Sequence, residues 1–158
     1  MTTSRNYKTI ALNKIAIENR THVISKLKTG DLIKVKADLS PLIYHYGIIE
    51  RNQEGLFIWH NHPSKKNQDG GNVIKEPLEE WIKGRDIISY QNTNIDIADI
   101  NTMYEAIKEH KYDFINFNCE HFVNFASSKK YVSGQVIKLT GIALLGILVY
   151  YLIKTKRI

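Results

Sequence analysis

The stretch VIKLTGIALLGILVYYLI, residues 136–153, constrains this chain more than any other. It carries one charge, Lys138, near its start. As a helix rising about 1.5 Å per residue it spans roughly 27 Å, close to the hydrocarbon thickness of a bilayer. A helix packed on a soluble core shows one apolar stripe, whereas this stretch is apolar all round. Tyr150 and Tyr151 near one end, with Lys154, Lys156 and Arg157 behind them and Lys129 and Lys130 ahead, put aromatic rings and cations where headgroups would lie. Residues 132–158 are therefore expected to form a C-terminal membrane anchor with a basic tail. Gly141 and Gly146 are five apart, so they make no small-xxx-small pairing motif. Cations on both flanks leave orientation open. MTTSRNYKTIALNKIAIENR lacks the apolar run of a secretory signal, so the domain ahead of the anchor is expected to face the cytosol.

The rest of the 158-residue chain suffices for one core. A single cysteine excludes an intramolecular disulfide. The net charge of +6 suits an anionic partner, but the lysines are dispersed and not interleaved with aromatics, so nucleic acid is not expected. Residues 1–27 read as an N-terminal extension with weak helical spacing. After Gly30-Asp31, LIKVKA alternates as a strand, LIYHYGIIE (42–50) is a second, and LFIWH (56–60) returns as a third after a turn at 52–55. HNHPSKKNQDGGN (60–72) is a polar rim loop, followed by the strand VIKEP, a short helical LEEWIKG and the strand DIISY. In residues 95–110, Ile97, Ile100, Tyr104 and Ile107 share a helical face, and a last helix starts near Asn118. The expected class is α+β, a small antiparallel sheet with helices on one side.

FNCEHFVNFA, residues 117–126, holds the lone Cys119. With Asn118 as the cap, Cys119 falls in the first helical turn, where free N–H groups and the positive dipole end favour thiolate over thiol. A thiolate there is a competent nucleophile. Cys119, Phe122, Val123 and Ala126 also fall at i, i+3, i+4 and i+7, so a plain packing role fits the spacing as well. His121 lies about 200° round the helix from Cys119 and is expected to point to solvent or to a local polar contact. His45 shares a strand face with Ile43, Gly47 and Ile49, an apolar side expected to meet the helix and bring the imidazole to the thiol as general base. His60 has the parity of Leu56 and Ile58 and is placed to orient His45 across the hairpin; His62 has the same parity and is the alternative. Cysteine, histidine and a third polar residue make an acyl-transfer site whatever their chain order. A zinc set drawn from His60-x-His62 and Cys119-x-His121 is disfavoured, because the helix turn parts Cys119 from His121. No metal or other cofactor is expected.

GDLIKV at 30–35, HYGII at 45–49 and above all NCEHFVNFA at 118–126 resemble the lecithin:retinol acyltransferase domain family. Within it the chain is most similar to the HRAS-like suppressor group of phospholipase A and acyltransferase enzymes. The resemblance implies a permuted NlpC/P60 and papain-like fold over residues 28–131, followed by a transmembrane helix. It implies Cys119 as nucleophile, His45 as base and His60 as third member. The reaction implied is cleavage of a glycerophospholipid acyl ester, of phospholipase A1/A2 type, through an acyl-thioester on the cysteine. The phospholipid membrane would supply the acyl donor, and water, an amine or a lysophospholipid would accept the acyl group. A membrane-tethered cysteine peptidase of the NlpC/P60 kind and a non-catalytic membrane adaptor are the alternatives.

Overall fold

The alternating segments LIKVK, YHYGIIERN and GLFIWHN form the centre of an antiparallel sheet. The computed structural model describes residues 9–10, 20–37, 42–62 and 72–155. In chain order the elements are β1 (Thr9–Ile10), α1 (Arg20–Lys26), β2 (Leu32–Lys36), β3 (Tyr44–Asn52), β4 (Gly55–Asn61), β5 (Val73–Pro77), α2 (Leu78–Trp81), β6 (Ile87–Gln91), α3 (Ile97–Ile107), α4 (Cys119–Ser128) and α5 (Gly134–Thr155). Six strands pair antiparallel in the order β1-β6-β2-β3-β4-β5, so the class is α+β with the expected β2–β3–β4 meander at its centre.

Gly30 and Asp31 fix where β2 begins. Gly30 has φ +88°, and a Cβ there would lie 1.9 Å from the Ile95 carbonyl oxygen, so a side chain is excluded twice over. The buried Asp31 carboxylate accepts the Lys28 N–H and an Asn92 side-chain N–H. Backbone bonds from Gly30 N–H to Ile49 O and from Ile49 N–H to Asp31 O then lock β2 to β3.

The sheet is covered on both faces. One core joins Val23 and Leu27 to Ile33, Val35, Ile49, Ile58 and Trp81. The other joins Ile48, Ile100, Met103 and Ile107 to Phe117, Phe122 and Val123. The expectation of helices on one side is thereby corrected: α1 and α2 lie on the first face, α3 and α4 on the second. The reason is legible in β3, where Gly47, Ile48, Ile49 and Glu50 are all buried, a run that suits a strand sandwiched between two layers. Each fully buried Ile or Phe contributes about 1.5–3 kcal/mol, so both layers are needed to hold the strand.

The packed unit reaches back to Arg20, since Val23 and Leu27 lie inside the first core; residues 11–19 and most of the 60–72 rim loop fall outside the described residues. In α3, capped by Asp96, the buried positions are Ile100, Met103 and Ile107, and Ile97 is exposed instead of sharing that face. α4 ends at Lys129, whose N–H bonds Phe125 O, and five residues, 129–133, lead to α5. α5 has 22 residues, is long and apolar enough to cross a membrane, and buries none of that apolar stretch in the domain.

Candidate active site

The first turn of α4 is built by its own cap. Asn118 is extended at φ −97°, and its side-chain oxygen accepts the N–H groups of Glu120 (2.9 Å) and His121 (3.1 Å). His121 Nδ1 accepts the Asn118 N–H at 3.2 Å, so histidine takes the place of the glutamate in a capping box. His121 therefore turns away from Cys119 to a local polar contact, and it is buried, not solvated. Burial holds its imidazole below the ordinary range, which agrees with an unprotonated Nδ1.

Cys119 is 3% exposed. Its Sγ donates to the Tyr44 carbonyl at 3.6 Å, and the backbone amides of Tyr46, Cys119 and Glu120 lie near enough to favour its charged form. Those partners follow from the strand register. Ala37 N–H bonds Ile43 O, so odd residues of β3 turn their backbone toward β2, and even ones toward β4. β4 pairs with β3 only from Ile48↔Trp59 onward. The Tyr44 and Tyr46 edge is left free by β4, and the α4 N-terminus fills it.

This geometry corrects two expectations. Burial pushes the Cys119 thiol up to about 12, with Glu120 adding to the rise, while the surrounding N–H groups pull it down. Desolvation outweighs the helix end, so the closed site holds thiol and not the expected thiolate. The second concerns His45. Its face was expected to meet α4, but α4 packs on the Ile48 side with Phe122 and Val123. His45 sits opposite Val35, on the other face, and is half-buried. The sulfur lies instead against the backbone on either side of His45, at the free edge of β3.

His60 is buried on the His45 side of the sheet, with its ring 5.7 Å from Trp81 and 5.4 Å from His62. Its Nε2 is 2.7 Å from Glu76 Oε1. That hydrogen bond is the main cause holding the Glu76 carboxyl below its ordinary range. His62 is partly buried, and burial pushes its imidazole down. Glu76 escaped the sequence reading, although Ile74 and Glu76 alternate in VIKEP and Glu76 stands opposite Ile58. Among the described residues no three His, Cys, Asp or Glu side chains are grouped to hold a metal ion.

Five more residues complete the surroundings. Asn61, buried, donates to Phe117 O at 2.6 Å and so braces the backbone just ahead of Asn118; its own Oδ1 has no hydrogen-bond partner among the described residues. Tyr112 lies close enough to the thiol that Cys119 helps burial push its phenol up to about 12. Tyr46 lies near Glu120, and burial above all drives its phenol up, with the Glu120 charge adding to the rise. Glu120 Oε2 accepts from Ser133 Oγ (2.6 Å) and from the Gln135 N–H (2.8 Å). The buried Gln135 amide then clamps Tyr44, accepting its N–H at 2.6 Å and donating to its carbonyl at 3.2 Å. The Tyr44 carbonyl thus serves both the thiol and the first turn of α5.

Among known proteins, no family model matches the chain and no curated protein matches it.

Proposed function

We propose that the chain is a membrane-anchored thiol acyl hydrolase or acyltransferase of the lecithin:retinol acyltransferase kind, acting on glycerophospholipid acyl esters. The observation that carries this reading is the seat of Cys119 in the first turn of α4, capped by Asn118, with Sγ 3.6 Å from the Tyr44 carbonyl beside His45 on β3. Backbone N–H groups at such a helix start can stabilise the oxyanion of a tetrahedral intermediate. In the proposed reaction His45, next to Tyr44 on β3, reaches the thiol only once the Tyr44 edge opens; it then takes the thiol proton and Sγ attacks the ester carbonyl carbon. The carbon–oxygen bond to glycerol breaks, and the glycerol hydroxyl leaves with the proton from His45. Water, an amine or a lysophospholipid hydroxyl then attacks the thioester and returns a proton to the sulfur. His60, backed by Glu76, is the proposed orienting residue. The closed thiol is the resting form, and opening of the Tyr44 edge is the activating step. α5 is the proposed membrane anchor, with the domain on the cytosolic side.

One observation favours a second reading. A thiol pushed up to about 12 and shut away from solvent suits a non-catalytic membrane adaptor that keeps the fold. The test is intact mass spectrometry of the full chain in neutral detergent after brief incubation with phosphatidylcholine. A fatty-acyl mass on Cys119, removed by hydroxylamine and absent from Cys119→Ala, is the expected result. Absence of the adduct, with turnover also absent, would leave the adaptor standing.

A further inference from the structure

A cavity of about 130 Å³ lies where α5 leaves the domain. By volume it has room for roughly four waters, a space on the scale of a small headgroup. Lys34, Tyr44 and Tyr46 line it from the sheet, and Lys138 and Ile142 from α5. Glu120 also borders it. The Lys34 ammonium stands 3.9 Å from the centroid of the Tyr44 ring, both side chains lining the cavity. Burial pushes Lys34 down, Glu120 pushes it up, and Lys138 pushes it down again, so the two ammonium groups feel each other. One oxygen of the Glu120 carboxylate, Oε2, accepts from Ser133 Oγ and the Gln135 N–H. Two cations against one carboxylate leave the cavity with a net positive charge.

We propose that this cavity binds the phosphate group of a membrane phospholipid, between Lys34 and Lys138. Lys138 is in the first turns of α5, and the apolar surface of that helix continues past Ile142 away from the domain. A phosphate held there would lie at the headgroup layer, with its acyl chains running beside the helix. A free phosphate has the same charge but gains nothing from that apolar surface. Tyr44, Tyr46 and Glu120 wall both this cavity and the Cys119 thiol, so the bound headgroup would set which ester meets Sγ. The positioning half of the inference rests on the thiol mechanism proposed above; the binding half needs only α5 in a bilayer.

The test uses native mass spectrometry of the full chain from neutral detergent micelles doped with phosphatidylglycerol, diacylglycerol or inorganic phosphate. One phosphatidylglycerol should bind, diacylglycerol should not, and inorganic phosphate should neither bind comparably nor displace the lipid. Lys138→Gln, at an exposed position, should weaken retention, and Lys34→Gln with Lys138→Gln should weaken it about tenfold or more. Lys34→Arg with Lys138→Arg should restore it, and Lys129→Gln with Lys154→Gln should leave it unchanged. Equal retention by the Lys34→Gln and Lys138→Gln chain overturns the proposal, as does equal binding of diacylglycerol. Full competition by inorganic phosphate overturns the lipid as its source. Lipid retained by the parent chain with no acyl adduct on Cys119 would reject the thiol chemistry and keep this site.

Discussion

Gln135→Ala should unlock the thiol. The substitution removes the amide that bridges the Tyr44 N–H at 2.6 Å and its carbonyl at 3.2 Å. Two such bonds are worth about 1–3 kcal/mol net, enough to loosen the first turn of α5 without unfolding a domain of ordinary stability. With the thiol held at about 12, roughly one chain in 10⁵ carries thiolate at pH 7. Water at the Tyr44 edge would let it relax toward its ordinary value of 9.0, raising that fraction about a thousandfold. A less basic thiolate is a weaker nucleophile, with a Brønsted coefficient of about 0.4–0.5, which returns roughly 20-fold of the gain. The net expectation is an increase of about 50-fold in iodoacetamide alkylation of Cys119 at pH 7, before any gain in access. The assay is the time course of mass increase for the full chain in neutral detergent, with the denatured chain as the upper limit. The pH profile should move with it, its midpoint falling from near 12 toward 9. A rate within twofold of the parent chain would refute the reasoning, because something other than the Gln135 clamp would then be closing the site.

Gly30→Ala should destabilise the domain by about 3 kcal/mol, combining a left-handed backbone penalty with the clash against Ile95 O; a melting curve measures it. Asn118→Ala should cost about 1–2 kcal/mol in denaturant titration and raise Cys119 alkylation, since the cap that orients the first turn is lost. Cys119→Ala should flatten the alkaline limb of the stability profile. The folded thiol lies above its unfolded value, so its contribution is complete below about pH 9 and declines up to about pH 12. The parent chain should therefore lose about 1.4 kcal/mol per pH unit more than Cys119→Ala across that window.

The site was legible where local chemistry decides. Asn118 before a cysteine, with an apolar stripe at helical spacing, is enough to start α4 at Cys119 and to turn His121 away. The long apolar helix α5 is written in one run that carries a single charge, Lys138. The layering was harder to read, because YHYGIIERN offers apolar residues to both faces of β3 and periodicity cannot say which one receives α4. The charge state of Cys119 was hidden for another reason: a helix N-terminus can be read from a sequence, but the depth of burial that overrides it depends on distant packing. Gln135 on Tyr44 spans 91 residues, and nothing local to either side announces it. Glu76 behind His60 needed only the β4–β5 register, which the residues between those strands did not supply.

The tie between α4 and α5 also limits where this domain can work. Five residues, 129–133, reach at most about 17 Å when fully extended, and Ser133 is itself fastened to Glu120. With α5 in a bilayer, the domain hangs on a short leash with its thiol edge at the foot of the helix. It cannot lean across to an apposed membrane or sample lipid dispersed in solution. Under the proposed reaction its supply would be whatever diffuses laterally in its own leaflet, so turnover would follow the surface density of lipid around it and not the amount in the cell as a whole.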